Sequence, residues 1–80
     1  MDYQKAVVEI LDSAKKLTQD KGQVESLFQA SGIKVDGNLT FIAFNGNPDA
    51  CVKTLMEKLS AMPVVKISAK RIFRNEGITA

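Results

Sequence analysis

The stretch 39–69 sets the terms for the rest of the chain. It reads LTFIAF, NGNP, DACVKTLMEKLSAM, PVVKISA, the pattern of a strand, a tight turn, a helix and a second strand. The first run is apolar at nearly every position, with Thr40 the exception. That predicts a central strand covered on both faces, or closed on one face by a partner. Asn45-Gly46-Asn47-Pro48 then turns the chain into the helix. Asn47 suits the N-cap, Pro48 the first helical position and Asp49 the positive end of the helix dipole. Val52, Leu55, Met56 and Leu59 make the apolar stripe of this helix, with Cys51 beside it. Pro63 ends the helix and opens the last strand, in which Val65, Ile67 and Ala69 alternate with Lys66, Ser68 and Lys70. The alternation fails at Arg71-Ile72-Phe73, which predicts a bulge or the end of the strand.

Upstream, residues 4–19 predict an amphipathic helix, with Val7, Ile10, Leu11, Ala14 and Leu17 on one stripe. Asp20 caps a second helix over 23–30, supported by Gln23 three residues on, and Val24, Leu27 and Phe28 point inward. Gly32 follows where a helix end calls for a left-handed residue. Asp36-Gly37 joins a short edge strand, Ile33-Lys34-Val35, to the apolar strand as a hairpin. The order is therefore ααββαβ. The fold class is α+β, a two-layer sandwich with a small three-stranded sheet packed on one face by the helices. The 80 residues suit a single small globular domain, 1–80, with a loose tail over 75–80.

The absence of histidine bears most on chemistry. It removes the usual general base, the usual metal ligand and the partner of Ser and Cys nucleophiles. One cysteine cannot supply a zinc site, and Asp36 and Asp49 lack further acidic ligands around them, so they read as turn and cap residues. No enzyme, cofactor or metal is expected. Cys51 sits in the first turn of a helix, where a thiol's pKa falls, but it also opens the apolar stripe as a small hydrophobe would. The NGNP corner can offer amides to a phosphate, yet Asn47 and Asp49 stand ready to occupy them. A phosphate-handling or thiol enzyme at this corner is the remote reading.

The net charge of +2 is unevenly spread. Residues 63–80 carry Lys66, Lys70, Arg71 and Arg74 against Glu76 alone. On a regular strand Lys66, Lys70 and Arg74 share one face, and an exposed Phe73 can stack on a base, so a weak nucleic-acid interface is one expectation. Four cations on phosphate would give a salt slope of only about −3 to −4. The same charges also serve to keep sheet edges apart. The leading expectation is a non-catalytic interaction module, a homodimer or a binder of another protein, which closes an open sheet edge or face through a patch including Phe41, Phe44 or Phe73. A single cysteine, no bilayer-length apolar run and no basic-then-apolar N-terminus point to a cytoplasmic protein without a membrane partner.

Overall fold

The computed structural model describes residues 2–79. In chain order these form α1 (Tyr3–Leu17), α2 (Lys21–Ala30), β1 (Ile33–Val35), β2 (Phe41–Phe44), α3 (Pro48–Lys58), a 3-10 turn (Leu59–Ala61) and α4 (Pro63–Asn75). The architecture is mixed α+β: four helices and a two-stranded antiparallel sheet.

Local chemistry explains where the helices begin. Asp2 caps α1 by accepting from the Lys5 amide at 2.9 Å. Asp20 caps α2 by accepting from the Gln23 amide at 3.0 Å, and the Asp20 amide itself donates to Thr18 Oγ1. Asn47 caps α3 through the Asp49 amide at 2.8 Å, with Pro48 at the first position. Each cap satisfies an amide that has no partner inside its helix.

The core takes one face from each helix. Val7, Ile10, Leu11 and Ala14 of α1, Val24 and Phe28 of α2, and Val52, Leu55 and Met56 of α3 are buried together with Leu59. The hairpin adds Ile33, Val35 and the loop residue Leu39, with Phe41 and Phe44 half-buried against the same cluster. Ile33 pairs with Phe44 and Lys34 with Ala43, and a bulge before Val35 shifts it opposite Phe41. The connecting loop is longer than the two-residue turn that Asp36-Gly37 suggests. The Asp36 carboxylate accepts from the Asn38 and Thr40 amides at 2.9 Å each, and its own amide donates to the Thr40 carbonyl.

The main correction concerns residues 63–75. They form α4, not a third strand, so the sheet has two strands and α3 is followed by a helix. Val65, Ala69 and Phe73 recur every fourth residue and are all buried, at 2%, 0% and 2% exposure, with Ile72 half-buried beside them. Ile67, which an alternating strand would bury with Val65 and Ala69, is 63% exposed. The helix packs most extensively on α1, where Ser68 Oγ donates to Ser13 Oγ at 3.1 Å. The apolar strand is also not covered on both faces: Ile42 of β2 is exposed.

The segment expected to be loose is held as far as Ile78. The Ile78 amide donates to the Phe73 carbonyl at 2.8 Å and the Gly77 amide to the Arg74 carbonyl at 3.1 Å. Gly77 is left-handed at φ 71°, which completes a Schellman motif, and Ile78 is buried. Ala80 lies outside the described residues.

Candidate functional site

The outer surface of α4 gathers the features that the core does not use. With Val65, Ala69 and Phe73 turned inward, the helix presents two neighbouring rows to solvent. One is Lys66, Lys70 and Arg74 at four-residue intervals. The other is Val64, Ile67 and Arg71, spaced three and then four. Val64 and Ile67 are 60% and 63% exposed, the highest values among the exposed large apolar side chains of the described residues. Leu17, at the end of α1, is also exposed and lines a shallow groove of about 240 Å³ together with Met62, Pro63 and Val64.

The four predicted cations thus stay together, on a helix instead of a strand. Residues 63–75 contain no carboxylate to offset them. Lys66 is half-buried and donates from Nζ to Ser60 Oγ at 2.7 Å, which leaves Lys70, Arg71 and Arg74 as the more exposed members. Glu76, just beyond the helix, faces Lys5 at 3.8 Å. A second shallow hollow, of about 420 Å³, lies between α4 and α3 and brings Lys53 and Glu57 beside Lys66 and Lys70.

The three phenylalanines of the expected interaction surface do not share one exposed patch. Phe73 is in the core, not exposed, so it has no face to offer a base. Its fourfold spacing from Ala69 and Val65 puts it on the buried side of the helix. Phe41 and Phe44 remain half-buried on the hairpin, with ring centroids 5.0 Å apart and planes tilted by 60°.

At the strand–helix corner the polar side chains are engaged by neighbouring groups. Asn47 occupies the Asp49 amide. Cys51 is buried, and its Sγ lies 3.5 Å from the Gly32 carbonyl, to which it donates. The Asp49 carboxylate accepts from the Tyr3 hydroxyl at 3.3 Å and pairs with Lys53 at 3.0 Å. Partial burial, then the Asp49 charge and hydrogen bond, hold the Tyr3 phenol above its ordinary range. Asp36 is held below its ordinary range, first by the Thr40 amide, which outweighs the opposing desolvation, and then by the Asn38 amide and the Lys15 charge. Among the described residues no group of three or more His, Cys, Asp or Glu side chains is placed to hold a metal ion. No helix among them is long and apolar enough to cross a membrane.

Sequence reasoning found the cations and missed the apolar part of this surface. Ile67 reads as core on a strand, and Leu17 as the last member of the α1 stripe. The signal was the fourfold recurrence of Val65, Ala69 and Phe73, which on a helix leaves Val64 and Ile67 outside. Comparison with protein-family models, curated proteins and solved structures finds no match to this chain.

Proposed function

We propose that this chain is a small non-catalytic interaction module that binds another protein through the outer surface of α4. One observation carries the reading: Val64 and Ile67 stand mostly in solvent on a helix whose other side is fully used by the core, with exposed Leu17 beside Val64. Large aliphatic side chains clustered in water favour burial against a partner, at about 25 cal/mol for each Å² covered. The charges around them supply orientation and a faster encounter.

The row Lys66, Lys70 and Arg74, with Arg71 close by, supports a second reading, a weak nucleic-acid interface. Phosphate binding would use these cations but would leave Val64 and Ile67 in water, and this surface has no aromatic side chain to stack on bases. Self-association through α4 would set one row of cations against another. A homodimer is better supported at the hairpin, where Ile42 is exposed beside Lys34.

Sedimentation equilibrium at low and moderate salt, with and without a short mixed-sequence oligonucleotide, separates these readings. The expected result is a monomer that ignores the oligonucleotide. A complex with the oligonucleotide that dissociates as salt rises would put nucleic acid in first place. A salt-insensitive dimer would move the interface to the hairpin.

A further inference from the structure

Resting on that reading, we propose that the partner of α4 is an acidic amphipathic segment that docks as a helix, its apolar side chains on Val64 and Ile67 and its carboxylates on Lys70, Arg71 and Arg74. The charge argument is direct. Four cations and no carboxylate occur in residues 63–75; Glu76, the next acid along the chain, already faces Lys5, and Glu57 of α3 shares its hollow with three cations, Lys53, Lys66 and Lys70. A partner surface rich in Asp and Glu gains from every one of these contacts, whereas a basic or second α4 surface is repelled by them. Arginine adds geometry to this, since Arg71 and Arg74 can each hold a carboxylate by two parallel hydrogen bonds.

The apolar argument selects a protein over other anions. Ile67 lies three residues from Val64 and from Lys70 and four from Arg71, so an aliphatic anchor is ringed by cations on one helical surface. A partner with leucine-like residues at helical spacing and acids on either side matches that layout. An oligonucleotide matches only the charges. An anionic lipid surface would call for a broad apolar face, and the broad apolar face of α4 is spent on the core. The docked segment is a helix because the site is itself a helix surface with no strand edge to extend. From Val64 to Arg74 the surface runs about 15 Å, room for roughly three turns of a partner.

The test is selection of 16-residue peptides from a fully random display library on the folded chain of residues 1–80, followed by solution binding of those recovered. The expected peptides carry Asp and Glu around Leu, Ile or Phe at spacings of three and four. Their amide shift changes should map to Leu17 and residues 64–74. Ile67→Ser and the double variant K70E/R74E should each weaken binding at least tenfold with an unchanged far-UV circular dichroism spectrum. Because all three residues are exposed, these variants keep their fold. Enriched peptides without acids, or acidic peptides insensitive to both variants, would overturn the proposal. So would tighter binding of phosphatidylserine vesicles or of a 12-nucleotide single strand than of any peptide. Peptides that map to the hairpin would overturn this partner and leave the interaction module standing. No peptide at all, together with a bound oligonucleotide, would overturn both.

Discussion

Gly32 is the residue on which three elements close. It is left-handed at φ 83°, ends the α2 segment, and accepts from the Asn45 amide at 2.7 Å. A Cβ there would stand 3.1 Å from Cys51 Sγ and 3.4 Å from the Asn45 carbonyl oxygen. Gly32→Ala is therefore expected to cost about 1–3 kcal/mol, combining the left-handed penalty with crowding, as read from urea unfolding. The double variant with Cys51→Ala should lose less than the sum of the two single losses, since the crowded sulfur is gone. Asp36 yields a pH prediction. Its folded pKa is depressed by the Thr40 and Asn38 amides, so the stability it contributes is present above the ordinary carboxylate pKa and is lost as pH falls through the folded value. Unfolding followed from pH 6 down to pH 2 should show a shallower acid limb in Asp36→Asn than in the parent chain. Gly32, Asn47 and Asp20 were legible in the sequence because a cap or a left-handed position is decided by the few residues around it. Tyr3 was not, because its hydroxyl meets Asp49 across 46 positions of chain.

At the scale of the element, α4 shows how one sequence can satisfy two periods. In PVVKISAK, Val65 and Ala69 fit both a strand, two residues apart from Ile67, and a helix, four apart from each other. Ile67 and Ile72 distinguish the two, and each falls where the helix puts it: Ile67 out, Ile72 half-buried against the core. Pro63 did not help, since it is welcome at the start of either element. A pair of substitutions checks the assignment. Ile67→Ser should change stability by no more than about 0.5 kcal/mol. Ala69→Leu, in a helix face with 0% exposure, should cost about 1–3 kcal/mol through overpacking. A strand would make both positions costly, and thermal melts of the two variants would show it. The stripes of α1 and α3 were legible because their apolar residues fit the helical period alone. The candidate surface was half legible: charge can be counted along the chain, but which aliphatic residues stay wet depends on the face that the core claims.

For the whole molecule, the hairpin cannot stand alone. Two strands are marginal at best in water, and this pair is bound by Ile33, Val35 and Leu39 to a core shared with the helices. Unfolding should accordingly be one transition, with helix loss by far-UV circular dichroism and the amide shifts of hairpin residues Phe41–Phe44 by NMR following the same urea curve. Separate midpoints would mean that hairpin and helices hold together less tightly than their common core implies. The two-layer, three-stranded arrangement expected from the element order fails at this scale, since sheet membership is settled by contacts between distant segments. The most extensive of these, α1 on α4, joins the first helix to the last. On a ribosome that has a temporal meaning. Val7, Ile10, Leu11 and Ala14 emerge early, and their covering helix is made some 45 residues later, roughly 2–10 s at ordinary elongation rates. During that interval the nascent chain carries an apolar stripe that still lacks its most extensive cover.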